Sequence, residues 1–230
     1  MKKITNYKTI FTILFITIAF SLTACNESPS EIAESSNKIL VGLDDSLPPM
    51  GFRSTSNELQ GFDIDMAAEI GKKLNKEFIF TPYNWDGILL GLQSKKFDVI
   101  ISALSVTSER EKEIGFTLPY LMEKQVIVTS KNSAINSPED LKGKVVGIQM
   151  GSTSYNALIP VKSTLKEVKE YKNNMDAIND LGTGRLEAVV IDELVARYYL
   201  KDHGSKYRIA DKELTKEPVA IGVRKEDTTL

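Results

Sequence analysis

The 230-residue sequence predicts an α/β protein of two similarly built lobes, each a mostly parallel sheet flanked by helices. Three observations carry this. From Lys38 onward, short apolar runs rich in β-branched residues alternate with segments of helical periodicity, the pattern of strand–helix–strand units. The alternation runs through two cycles, the second starting near Gln125, with no sequence repeat evident between them. The composition, 42% hydrophobic and 26% charged, supplies enough apolar material for a core of ordinary size.

In the first cycle, Ile39 to Leu43 reads as a strand ending at Asp44, Asp45 and the Pro48-Pro49 loop. Asp63 is expected to cap a helix whose apolar face is Ile64, Ala67, Ala68, Ile70 and Leu74. Phe78 to Phe80 is a strand stopped by Pro82. Trp85, Ile88, Leu89 and Leu92 mark the next helix, and Phe97 to Ile101 the next strand. The second cycle opens with a strand at Gln125 to Thr129. Ser137 and Pro138 place a cap and a first-turn proline on a short helix. Strands are expected at Val145 to Ile148, Leu165 to Tyr171 and Ala188 to Ile191. Helices are expected near Thr153 to Leu158, Met175 to Leu181 and Glu193 to Lys201. Pro218 is expected to introduce a last strand, Val219 to Val223.

The N-terminus reads as an address. Lys2, Lys3 and Lys8 precede an apolar run from Ile10 to Leu22, too short for a membrane span and suited to a signal peptide. It ends in Leu22-Thr23-Ala24-Cys25, which resembles a bacterial lipobox, so residues 1–24 are expected to be removed and Cys25 lipidated. Residues 25–37, rich in Ser, Glu and Asn, read as a flexible tether. Residues 25–230 carry 26 basic against 31 acidic residues, an acidic balance that argues against a nucleic-acid partner. One Cys and one His exclude an intrachain disulfide and a Cys/His zinc cluster, and no metal or cofactor is expected. His203 reads as a cationic helix end, not as a catalytic base.

Ligands of open α/β sheets bind at the carboxyl ends of strands. That rule selects Asp44, the Ser102-Ala103-Leu104-Ser105 stretch, Gly151-Ser152-Thr153 and Asp192. Taken singly, each has an ordinary reading: Asp in a turn, Ser or Thr as a cap, Arg110 on a solvated charged helix, Trp85 in the core. Together they suit an α-amino acid zwitterion. Arg110 offers a bidentate cation for the carboxylate, the Gly151-Ser152-Thr153 helix start offers N–H donors, and Asp192 offers an anion for the ammonium. Trp85 can cover an apolar stem, with Ser102 and Ser105 as polar partners.

Five motifs then carry a family resemblance. They are Gly61-Phe62-Asp63-Ile64-Asp65; Trp85-Asp86-Gly87 with Phe97-Asp98-Val99-Ile100; Ser105-Val106-Thr107-Ser108-Glu109-Arg110; Leu141-Lys142-Gly143-Lys144-Val145-Val146-Gly147 leading to Gly151-Ser152-Thr153; and Ile191-Asp192-Glu193. In this order and spacing, the chain from Ile39 to Leu230 resembles the amino-acid-type (family 3) extracellular solute-binding proteins of bacterial ABC importers, in lipoprotein form. The resemblance implies a two-lobed, periplasmic-binding-protein-like (type II) clamp. Lobe 1 would span residues 38–120, with 219–230 returning to it. Lobe 2 would span 125–214, with hinge crossings at 121–124 and 215–218. It implies ligand contacts at Asp44, Trp85, Ser102, Ala103, Ser105, Arg110, Thr153 and Asp192. Its partners would be an amino acid, an ABC permease and, through Cys25, the membrane. Leu47 stands where many relatives carry an aromatic, and Ala103 lacks a hydroxyl found in some binders of basic amino acids. The side-chain class therefore stays open among polar, sulfur-containing and cationic amino acids. A secreted dehydratase of prephenate or arogenate type on the same fold is the alternative, disfavoured by the ammonium partner Asp192; a receptor's sensor module is a further one. Asp227, Thr228 and Leu230 read as a helix start, and the family continues with helices covering lobe 1. These 230 residues are thus expected to be less stable than a longer form.

Overall fold

The computed structural model describes residues 37–227. The signal-like segment, Cys25, the tether up to residue 36 and the stretch from Thr228 to Leu230 lie outside the described residues. So does the expected stability deficit, which depends on that end.

Lobe 1 begins with β1 (Lys38–Leu43) and a small antiparallel sheet of β2 (Ser46–Leu47), β3 (Gly51–Arg53) and β4 (Leu59–Gln60). Then come α1 (Phe62–Leu74), β5 (Glu77–Pro82), a 3-10 turn at Trp85–Gly87 that runs into α2 (Ile88–Gln93), and β6 (Val99–Ile100). α3 (Ser108–Glu113) and β7 (Gly115–Phe116) follow. Lobe 2 contains β8 (Leu121–Ser130), β9 (Val145–Gln149), α4 (Ser154–Leu158) and β10 (Glu167–Tyr171). It continues with α5 (Asn174–Gly182), β11 (Ala188–Asp192), α6 (Glu193–His203), β12 (Tyr207–Ile209) and β13 (Thr215–Val219). The chain returns to lobe 1 as β14 (Gly222–Val223).

The first sheet has the order β5-β1-β6-β14-β7, with β1 parallel to both neighbours and β14 antiparallel to β6. The second has the order β10-β9-β11-β8-β12, with β9 parallel to both neighbours and β8 antiparallel to β11. Each sheet is thus parallel at its heart, as the alternation of strands and helices requires, and antiparallel where the chain enters or returns. The central strands are buried without alternation: Ala188 to Ile191 are all buried, as befits a strand covered on both faces. Phe97 is fully enclosed between the lobe 1 strands and α2, and its removal to Ala would cost about 3–5 kcal/mol.

Two chain passages join the sheets. They pair antiparallel, β13 against the start of β8, with Thr215 opposite Gln125, Glu217 opposite Glu123 and Val219 opposite Leu121. Ser105 bridges to Val219, and the Val106 N–H donates to Pro218 O (2.8 Å), so the loop after β6 is tied to the second passage.

Three local expectations are corrected. Asp63 does not cap α1; Gly61 does, at φ 130°, where a Cβ would lie 2.4 Å from Met50 O. Asp63 is fully buried in the first turn and accepts the Ala103 N–H (2.8 Å) and the Tyr120 O–H (2.9 Å). Pro218 does not introduce a strand but lies inside β13, opposite Met122. The expected single strand from Val219 to Val223 is broken, because Val219 ends the passage and Gly222 begins the lobe 1 strand. The expected strand from Phe97 to Ile101 shortens to Val99–Ile100.

Candidate functional site

The loops at the carboxyl ends of β1, β5, β6, β9 and β11 converge between the lobes. Trp85, Ser102, Ala103, Ser105 and Arg110 from lobe 1 and Thr153 and Asp192 from lobe 2 line one small cavity. Leu47, Gln149 and Ser152 complete its lining. Of the residues predicted to contact a ligand, only Asp44 stands outside it. Asp44 borders a wider chamber next door, whose wall also includes Trp85.

Arg110 lies on α3, where the Thr107 side chain caps the helix by accepting the Arg110 N–H (3.2 Å). This is not a solvated helix face, since Arg110 is only 8% exposed. Its guanidinium donates from Nη1 to Ser105 O (2.9 Å) and from Nη2 across the cleft to Gly151 O (3.2 Å). It also stands 5.4 Å from the centre of the Trp85 ring. Two of the five N–H donors of an arginine are therefore engaged, leaving the others for a ligand. Burial lowers the Arg110 pKa, while Glu217 and then Asp192 oppose that shift; an arginine stays charged in such a setting. Gly151 adopts φ 74°, a conformation suited to glycine, and presents its carbonyl to Arg110. The Ser152 N–H turns back to Gln149 O (3.2 Å). The expected donor row at this helix start is thus partly committed to the turn.

Trp85 is both core and wall. It packs with Ile88, Leu92 and Phe97, yet borders the cavity, and its buried Nε1 has no acceptor among the described residues. Ala103 holds φ 46°, unusual for a residue with a side chain, and the Asp63 carboxylate secures its N–H. Ser102 Oγ accepts the Asp44 N–H (2.9 Å), which joins the ends of β1 and β6.

Asp192 closes β11 and precedes α6. Gln125 is the hub beneath it. Its Nε2 donates to Asp192 Oδ1 and to Thr153 Oγ1 (3.1 Å), and its Oε1 accepts the Ser154 O–H (2.7 Å). Burial pushes the Asp192 carboxyl up to about 7; Glu123 adds to the rise, Gln125 opposes it, Glu217 adds and Arg110 opposes. Glu123 and Glu217 face each other in the passage strands, both buried, and Oε2 of each lacks a partner among the described residues. Glu123 also has a raised pKa, chiefly from burial. Glu123 and Glu217 thus crowd the Asp192 carboxyl electrostatically, and a cation added beside Asp192 would oppose them.

Sequence reasoning did not assign site roles to Gln125, Gln149, Glu123 or Glu217. Gln125 begins an apolar strand that hides it, and Glu123 and Glu217 fall in the segments read only as hinge crossings. Gln149 directly precedes the Gly151 turn, which was the available signal. Among the described residues no His/Cys/Asp/Glu group has the arrangement to hold a metal ion, and no helix is long and apolar enough to cross a membrane.

Comparison with known proteins agrees with this architecture. The L-cystine-binding protein TcyJ of Escherichia coli (strain K12) is 31% identical over 189 residues, 81% of this chain and 71% of TcyJ. The arginine-binding extracellular protein ArtP of Bacillus subtilis (strain 168) is 30% identical over 212 residues, 91% of this chain and 83% of ArtP. The solved structure of an ancestral arginine-binding protein bound to arginine superposes with a TM-score of 0.80 at 41% identity, covering 83% of this chain and 86% of that one. Residues 39–230 match the bacterial extracellular solute-binding proteins, family 3, and the chain belongs to that family.

Proposed function

We propose that this protein captures an α-amino acid outside the cytoplasm and delivers it to an ABC importer. The carrying observation is one cavity, walled by both lobes, with a partly engaged Arg110 at one side and an over-crowded Asp192 at the other. A zwitterion matches both: its carboxylate takes the spare guanidinium donors, and its ammonium offsets Asp192, Glu123 and Glu217. Trp85 covers the ligand's stem, Ser102, Ala103 and Ser105 form the lobe 1 floor, and Thr153 completes the lobe 2 side. Relatives named for cystine and arginine binding support an amino acid ligand.

Opposite charges on opposite lobes make the ligand a clasp. The paired passages of β8 and β13 serve as the hinge, and contacts with both lobes shift the equilibrium toward the closed form. Micromolar capture requires about −8 kcal/mol. We read the chain as a binder and not an enzyme, because the chemistry supplied is charge matching and Asp192 suits an amine, which prephenate lacks. Cys25, outside the described residues, would carry the lipid anchor. Cys25→Ser should release the protein from the membrane fraction, and an uncleaved, unanchored wild type would refute the anchor.

The test of function is a thermal-shift screen against the common amino acids and cystine. Stabilisation by one amino acid or a related group is expected. No stabilisation by any, together with product formed from prephenate or arogenate, would reject the binding role.

A further inference from the structure

The two passages between the lobes carry a pair of like groups face to face. Glu123 on β8 and Glu217 on β13 stand directly opposite each other in the antiparallel register. Side chains so opposed leave the same face of the ribbon, with Cβ atoms about 4.5–5.5 Å apart, and two like charges there are destabilising. Both residues are buried, Glu123 at 2% and Glu217 at 9% exposure. Burial removes most of the water that would screen them, so two ionised carboxylates at this place carry a heavy desolvation cost.

Each carboxyl has one oxygen engaged and one left over. Glu123 Oε1 accepts the N–H groups of Lys124 (2.8 Å) and Glu193 (3.1 Å), the latter at the start of α6, and Glu217 Oε1 accepts the Thr215 O–H (2.6 Å). Oε2 of each is buried without a partner among the described residues. The charges around the pair do not supply one. Lys124 and Lys216, one residue along each strand, alternate to the other face and pair with Glu213 (2.6 and 3.3 Å), and Lys124 also reaches Glu193 (3.6 Å). Asp192, at the end of β11, meets both glutamates as like charges. Arg110 on α3 is the facing cation, but its guanidinium donates to Ser105 O and Gly151 O. Burial raises the Glu123 carboxyl above its usual range, against the pull of the Lys124, Leu194 and Glu193 N–H groups.

One proton taken from solvent satisfies both leftover oxygens. Placed on Oε2 of either glutamate, it donates to Oε2 of the other, turns a repulsion into a hydrogen bond across the ribbon and leaves the pair with one negative charge. We propose that Glu123 and Glu217 hold one proton between them, as a carboxyl–carboxylate bridge that fastens β8 to β13 between the lobes and sets the charge around Asp192. The proton belongs to the pair and not to one residue. Both glutamates are positioning residues: neither lines the cavity, and their effect reaches a ligand through Asp192. That effect rests on the reading that Asp192 takes the ligand's ammonium, whereas the bridge itself rests on register, burial and the two unpartnered oxygens. With one charge on the pair instead of two, Asp192 ionises more readily as an ammonium arrives.

The test is an NMR titration of the full, ligand-free chain, isotope-labelled at its glutamate and aspartate side-chain carboxyl carbons. In the wild type one glutamate carboxyl should stay protonated at about pH 6, well above the ~4.3 of an exposed glutamate, and that signal should be lost in Glu123→Gln and in Glu217→Gln. An amide has the shape of a protonated carboxyl, and its Nε2 stands where Oε2–H stood and donates to the remaining carboxylate. Either Gln variant therefore reproduces the bridged charge, and the Asp192 midpoint should hold its place. Were both glutamates ionised, either replacement would delete a charge, and that midpoint would fall by about one unit or more. A merely structural role does not predict which of these occurs. Every glutamate ionised at about pH 6 in the wild type, a result that needs no variant to fold, overturns the proposal. So does an Asp192 midpoint that drops in both variants, and either result leaves amino-acid binding standing. A bridge found in a chain that binds no amino acid supports the bridge and defeats the ligand reading, so the two failures are distinguishable.

Discussion

Lobe 1 and lobe 2 bring opposite charges to one cavity and hold them differently. The lobe 1 cation is tightly fixed: Arg110 is gripped by Ser105 O, faces the Trp85 ring and touches Gly151 O across the cleft. The lobe 2 anion is held by the Gln125 amide and sits among like charges, so its proton is weakly resisted. One half of the site is pre-organised and the other is electrostatically incomplete. On the proposed reading, a ligand carboxylate meets a geometry that is ready, whereas a ligand ammonium changes the charge state of what it meets.

The largest effect that would break this comparison is Arg110→Ala. It removes the proposed cationic partner of the ligand and the cation opposing Asp192, so binding should fall by about 2–5 kcal/mol, from micromolar to tens of micromolar or weaker. Wild-type affinity by calorimetry would contradict the assignment. Asp192→Asn keeps the shape and deletes the anion, and should cost about 1.5–3 kcal/mol. Affinity against pH sharpens the contrast. The ammonium favours ionised Asp192, whose carboxyl in the free protein lies at about 7. Below that pH, binding must expel a proton, so affinity should fall as pH falls, by up to about tenfold per unit. The slope should vanish in Asp192→Asn. Asp63→Ala leaves the Ala103 N–H unpaired and its φ of 46° unsupported, and should cost about 1–3 kcal/mol of stability in denaturant titration. Trp85→Leu removes the ring beside Arg110 and should cost about 0.5–2 kcal/mol of affinity.

How much of this was legible in the sequence depended on the kind of signal. The strands and helices around Ile39, Ala67, Ile88 and Val189 were readable because apolar periodicity is local. The carboxyl-end rule picked out Ser102, Thr153 and Asp192, which line one cavity, because strand ends are local too. Asp63 was misread because its position favours a cap, and only tertiary contact with Ala103 and Tyr120 draws its carboxylate inward. The break between Val219 and Gly222 was invisible because both halves are apolar and only sheet membership separates them. Gln125 was hidden at the start of a buried strand and Glu123 in an expected hinge crossing, and their surroundings come from neighbours on β11, α6 and β13. Gln149 needed the opposite lobe to show its partner.

The central claim is that Arg110 and Asp192 grip the two charged ends of one zwitterion. The most direct measurement is a calorimetric cycle between protein and ligand, using the best-binding amino acid, its decarboxylated amine and its deaminated acid. Each is titrated into wild type, Arg110→Ala and Asp192→Asn. Both truncated ligands should lose most of their affinity for the wild type. Removing the ligand carboxylate should cost little more in Arg110→Ala, and removing the ammonium little more in Asp192→Asn. Wild-type protein that binds the amine or the acid as tightly as the amino acid, or losses that simply add in both variants, would contradict the account.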